Sequence, residues 1–79
     1  MANSQVKSKR GKFSPKALKA LREELGMNQR EFAELLMVSA GAVALWEVGE
    51  RTVPGPVMRL CELLTNRSLR KEILTFISL

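Results

Sequence analysis

Apolar residues recur along this chain at helical spacing, and each run is bracketed by residues that start and stop helices. Leu18, Leu21 and Leu25 fall on one stripe, joined by Ala17. Ser14 is placed to cap that helix, and Pro15 suits its first position because a proline there gives up no helical hydrogen bond. Phe13 lies just outside and can fold back onto the stripe, Gly26 ends the helix, and Lys16, Lys19, Glu23 and Glu24 face water. A second helix is predicted from Gln29 to Leu36, with Phe32, Ala33 and Leu36 inward and Leu35 at the edge. Its start is doubly marked. Asn28 is a good N-cap whose N3 residue, Glu31, can answer it, and Met27 and Phe32 stand at hydrophobic-staple spacing. The marks repeat for a third helix, Ala40 to Val48, with Ser39 as cap, Val38 and Val43 as staple, and Gly49 as a left-handed stop. Val43 and Trp46 share its inner face, and Trp46, the only tryptophan, is expected to be the largest contributor to the core.

Residues 50–55 read as a loop, in which Val53 precedes Pro54 and is biased to extended geometry. Pro56 suits the first position of a fourth helix with Val57, Leu60, Cys61 and Leu64 on its buried stripe and Met58 and Leu63 to the sides. Asn66 is a plausible stop. Ser68 is placed to cap a fifth helix, Leu69 to Ile77, with Leu69, Ile73, Phe76 and Ile77 on one face and Arg70 and Lys71 on the other. No strand alternation occurs, so the fold class is all-α with five short helices. A short helix, a tight turn and a second short helix, as in residues 28–49, are the parts of a helix-turn-helix, whose second helix enters the major groove of DNA.

The length of 79 residues suits a single small domain. No apolar run approaches the roughly 18 residues of a membrane span, the start is polar and basic rather than a secretory signal, and a lone cysteine forms no internal disulfide, which fits the cytoplasm. The net charge of +5 is uneven. Residues 1–12 hold Lys7, Lys9, Arg10 and Lys12 and no acid, leaving nine bases against eight acids in the rest. These twelve residues lack apolar periodicity and are expected to be a disordered basic arm ahead of a folded domain at 13–79; such an arm on a nearly neutral domain is a nucleic-acid layout. A solvated tail that binds nothing is the plainer alternative.

The stretch LREELGMNQREFAELLMVSAGAVALWEVGERTVPG resembles the helix-turn-helix of the XRE/Cro family, the phage-repressor-like DNA-binding proteins. The resemblance spans residues 14 to about 65, and NQREFAELL, the VS before the third helix, and WE-x-G ahead of a Pro-containing loop are its most specific parts. It implies a dimeric transcriptional regulator that binds operator DNA. It extends to the HigA-like and MqsA-like antitoxins, which would add a toxin protein as partner. Gln29 matches the family glutamine that bonds a DNA phosphate, the other reading being a surface glutamine helping to cap its own helix. Arg22 and Glu47 match a family pair joining the first helix to the end of the third, either as a part-buried bridge or as two solvated charges. Arg30, Arg51 and Thr52 join Gln29 as expected backbone contacts.

The family's base-reading positions fall on Ser39, Ala40, Gly41, Ala44 and Leu45. Side chains able to make bidentate base contacts are missing there, so specificity is expected to lean on operator shape and backbone contacts. Met37 stands where the family usually has glycine, so either a methionine adopts the left-handed conformation or the turn is rebuilt. Cys61, on an apolar stripe, reads as a structural thiol. No His/Cys cluster, phosphate loop or nucleophile elbow is present, and neither a metal, a cofactor nor enzymatic activity is expected. Leu69, Ile73, Phe76 and Ile77 either complete the core or form a two-fold dimer contact. A protein-interaction module on the same scaffold, or a fragment of a longer regulator, are the alternatives to an operator-binding dimer.

Overall fold

Three side-chain caps set where the first three helices begin, in a computed structural model that describes residues 13–78. The basic arm, with Lys7, Lys9, Arg10 and Lys12, lies outside the described residues, as does Leu79. The elements are α1 (Pro15–Glu24), α2 (Gln29–Leu36), α3 (Ala40–Glu47), α4 (Gly55–Thr65) and α5 (Arg67–Ser78), with no strand among the described residues. Ser14, Asn28 and Ser39 each accept a hydrogen bond from the backbone N–H three residues on, at 3.0, 2.8 and 3.1 Å. Each bond satisfies one of the four N–H groups that a helix start leaves without a partner. At Asn28 the box closes: its own N–H donates to Glu31 Oε1 at 3.0 Å.

The same three helices end alike. At each C-terminus one N–H reaches back five residues and its predecessor reaches back three, the Schellman arrangement. The pairs are Met27 to Arg22 with Gly26 to Glu23, Val38 to Ala33 with Met37 to Glu34, and Glu50 to Leu45 with Gly49 to Trp46. The central residue of each is left-handed: Gly26 at φ 73°, Met37 at φ 60° and Gly49 at φ 82°. Met37 is the only non-glycine among them and is 90% exposed, so its side chain gains little packing in return. The turn is therefore not rebuilt; methionine takes the strained conformation, at a cost of about 1–2 kcal/mol.

The core joins Leu18 and Leu21 of α1, Phe32, Ala33 and Leu36 of α2, Val43 and Trp46 of α3, and Cys61 and Leu64 of α4. Phe32, Leu18, Leu64, Val43 and Cys61 are wholly enclosed. Trp46 is buried but not wholly enclosed, consistent with its size. Val53, in the loop before α4, is also buried; its extended conformation ahead of Pro54 points one side chain inward without any helical period to announce it. α2 and α3 pack on each other, α1 supports α3 and α4, and α5 rests mainly on α4.

Several boundaries move. α3 ends at Glu47, with Val48 as its cap. α4 starts at Gly55 with Pro54 as cap, which puts Pro56 second rather than first. Asn66, not Ser68, caps α5: its Oδ1 accepts from the N–H groups of Ser68 and Leu69 at 2.9 and 3.2 Å, so one residue both closes α4 and opens α5. Leu25 is half-buried rather than core. Arg70 does not join Lys71 on a solvated face. It is half-buried, its Nε donating to the Leu64 carbonyl at 2.8 Å and its Nη1 to Glu24 Oε2 at 3.3 Å. Arg67 donates to the same Glu24 oxygen at 2.8 Å, so Glu24 ties α1 to α5 instead of standing free in water. Hydrogen bonds from Arg67 and then Arg70 hold its carboxyl below the usual range.

The left-handed Met37 generates a test. Met37→Gly relieves the side-chain clash and gives back part of that gain as extra freedom of the unfolded chain. The expected outcome is a rise of about 4 °C in the thermal midpoint; an unchanged or lower midpoint, followed by circular dichroism, contradicts the strain.

Candidate nucleic-acid interface

Arg22, near the end of α1, meets Glu47, the last residue of α3. Nε donates to Oε2 at 2.7 Å and Nη2 to Oε1 at 3.2 Å, a bidentate pair, while Nη1 donates to the Met27 carbonyl at 3.0 Å. Both side chains are largely enclosed, at 13% and 5% exposure, so the pair is a part-buried bridge and not two solvated charges. Gln29, at the start of α2, adds a third partner: Nε2 donates to Glu47 Oε1 at 3.0 Å. One carboxylate thus gathers α1, the first position of α2 and the end of α3. Burial alone pushes the Glu47 carboxyl up, but the hydrogen bonds from Arg22 and Gln29 and the Arg22 charge outweigh it and leave it below its ordinary value. The same bond to Glu47 raises the Arg22 guanidinium.

With Glu47 anchored and Val43 and Trp46 in the core, the opposite side of α3 faces out. Ser39, Ala40 and Gly41 are exposed, and Ala44 and Leu45 are half-buried at its edge. Val48, at the end of the same side, is 69% exposed. Nothing polar stands on this face except the Ser39 hydroxyl, whose oxygen already accepts from the Ala42 N–H. Gly41 is second in the helix, and a Cβ built there would meet only Ser39 Oγ at 4.0 Å. Its φ is not positive. A glycine in a helix costs up to about 1 kcal/mol relative to alanine, and neither backbone conformation nor crowding requires it here.

The other expected contact residues are scattered around this face. Gln29 is half-buried, with one amide N–H on Glu47 and the second uncommitted. Arg30 is exposed beside it. Arg51 and Thr52 are exposed and line an open, mainly apolar cleft of about 320 Å³ with Phe13, Pro15, Trp46 and Val53. Cys61 lies in the core, where burial pushes its thiol up to about 12, far from a reactive thiolate. Among the described residues no three His, Cys, Asp or Glu side chains converge on a metal-sized site, and no helix is long and apolar enough to cross a membrane. The features that sequence reasoning missed are the Gln29–Glu47 bond and the Arg70 clamp. Both join a polar group to a partner at least six residues away, which no local pattern marks.

A family model described as helix-turn-helix matches residues 18–71, from within α1 into α5. No curated protein matches the chain.

The enclosed bridge has a measurable consequence. Arg22→Met leaves Glu47 buried without its counter-charge and is expected to cost about 3–5 kcal/mol, whereas Arg22→Met with Glu47→Met is expected to cost less than the single change. A Glu47 carboxyl held below its unfolded value contributes stability that is complete above about pH 4.3 and is lost as pH falls through the folded value. The parent should therefore lose more of its denaturation midpoint between pH 6 and pH 3 than the double variant loses. Equal losses would show that the bridge carries no linked stability.

Proposed function

The chain belongs to the XRE-type helix-turn-helix family of DNA-binding regulators, and from that membership we propose that it reads operator DNA by laying α3 in the major groove as part of a two-fold dimer. The observation that supports this best is the Arg22–Glu47–Gln29 network, which holds the outward face of α3 in a fixed direction. Preorganised contact surfaces lose less on binding than surfaces that must be ordered first. Ser39, Ala40, Gly41, Ala44 and Leu45 meet the bases. Gln29, Arg30, Arg51 and Thr52 meet phosphates, with the first N–H groups of α2 offering the positive end of the helix to an anion. Lys7, Lys9, Arg10 and Lys12 add backbone contacts that carry no sequence information.

The dimer contact is the outer side of α5. Phe76 is 76% exposed and Ile77 and Leu69 about two-fifths exposed, while Ile73 is half-buried against the core. Pairing these faces about a two-fold axis covers them and sets two α3 helices one turn of DNA apart, about 34 Å. Bases are read by a helix poor in polar side chains, so operator shape and deformability share the discrimination.

A second reading is favoured by one observation. Met37 in the turn after α2, Val48 at the end of α3, and Phe76 on α5 are large apolar side chains left in water. An antitoxin or adaptor on this scaffold would cover them with a partner protein.

Selection from a random duplex library is expected to return a palindromic site with half-sites about ten base pairs apart. Deleting residues 1–12 should flatten the dependence of log K on log salt by about 0.9 for each phosphate that the arm neutralises. Phe76→Glu is expected to give a monomer by sedimentation with weakened operator binding and an unchanged circular dichroism spectrum. A library without enrichment, together with capture of a protein partner through Met37, Val48 and Phe76, overturns the operator reading in favour of the second.

A further inference from the structure

We propose that the cleft beside the end of α3 binds a small apolar carboxylate, free in solution, with its hydrocarbon body against Trp46 and its carboxylate on Arg51. The cleft holds about 320 Å³, a volume within the range of small-ligand sites. Phe13, Val53 and Met58 join Trp46 as its apolar walls. Its polar side chains are Arg51 and Thr52, adjacent in the loop after α3, and Ser14. The Ser14 oxygen already accepts from the Ala17 N–H as the cap of α1, so it has less to offer a ligand. An apolar cleft with one cation and one hydroxyl side by side at its edge suits a molecule with a hydrocarbon body and a single anionic head.

Charge decides among the occupants. No acid lines the cleft, and the Arg51 guanidinium forms no salt bridge among the described residues, whereas Arg22, Arg59, Arg67 and Arg70 each meet a glutamate. A planar guanidinium matches a carboxylate with two parallel hydrogen bonds. The chain's own residues 1–12 are a poorer match, since Lys7, Lys9, Arg10 and Lys12 would meet Arg51 as like charges. A bare phosphate would pair with Arg51 and leave the apolar walls in water. Occupancy has a consequence for DNA, and here the inference rests on the phosphate contacts proposed above. Arg51 and Thr52 would serve both anions, so a carboxylate seated on them displaces the duplex backbone, and each ligand lowers the affinity for the other by the same factor.

The test titrates octanoate into the full chain and follows the fluorescence of Trp46, which is the only tryptophan and part of the cleft wall. Octan-1-ol and octylammonium share its hydrocarbon body without its charge. A saturable change is expected, with octanoate bound about fivefold more tightly than octan-1-ol at low salt and octylammonium more weakly than either. Arg51→Gln is expected to abolish the advantage of octanoate, and Arg51→Glu to transfer it to octylammonium. Arg51 is exposed, and an unchanged circular dichroism spectrum verifies that both variants fold. No saturable change overturns the site, and equal binding of octanoate and octan-1-ol overturns the carboxylate. Octanoate binding that appears only when residues 1–12 are deleted identifies those residues as the occupant and overturns the proposal. On the duplex selected from a random library, octanoate is expected to weaken binding by the parent and not by Arg51→Gln. Parent binding that octanoate leaves unchanged overturns the competition. A library that returns no preferred duplex sinks the operator reading and the competition with it, while the octanoate titration alone decides the site.

Discussion

The Arg22 guanidinium, enclosed between α1 and α3, bonds both oxygens of Glu47 and the carbonyl of Met27, and Gln29 bonds Glu47 from the start of α2. Such a cluster contributes little net stability over an apolar pair of the same volume, because two charges lose their water. What it contributes is direction. α3 reads AGAVALWE and is apolar on both sides, so amphipathic patterning does not choose which side turns inward. Two things choose it: Val43 and Trp46 fill space that alanine and glycine would leave empty, and Glu47 has a single place where its charge is matched. Bidentate geometry makes that place narrow. The outward patch from Ala40 to Leu45 inherits its orientation from this contact.

Much of this architecture is legible in the chain because its signals are local. Ser14, Asn28 and Ser39 cap as their positions predict, and the Glu31 box closes, since an N-cap and its N3 partner are three residues apart. Phe32, Val43, Trp46 and Leu64 go inward as helical spacing predicts. The Arg22–Glu47 contact spans 25 residues and no periodicity announces it; the family resemblance points to the pair, while the charges alone leave it open.

What is not legible depends on tertiary context. Val53 enters the core from a loop, where extended backbone aims single side chains without a period. Asn66 outcompetes Ser68 as cap of α5 because it already ends α4, so the break between the helices is one residue long. Charge alone assigns Arg70 to water. In the fold its stem lies along half-buried surface while its head reaches the Leu64 carbonyl and Glu24, a use of a long charged side chain that burial by residue type does not reveal. Its Nη2 is enclosed without a partner. The clamp therefore satisfies most but not all of the guanidinium, and it adds to the partial burial of Ile73 and Leu74 in holding α5 to the rest.

Local preference and global fold agree along most of this chain, as they do in sequences that specify one structure. Apart from the unpartnered Arg70 Nη2, they disagree in one segment. Met37 occupies a left-handed position that the equivalent turns at Gly26 and Gly49 give to glycine, and four residues later Gly41 occupies a helical position where a Cβ would meet no crowding. A glycine at position 37 and an alanine at position 41 would each suit the isolated fold better. Between and beyond them runs a face of α3 whose one polar side chain is the Ser39 cap. Departures from local rules that cluster where a structure meets its ligand, and nowhere in its core, are best explained by what happens at that face. The buried bridge keeps the segment in place despite the strain, and the strain is confined to the residues that folding does not use.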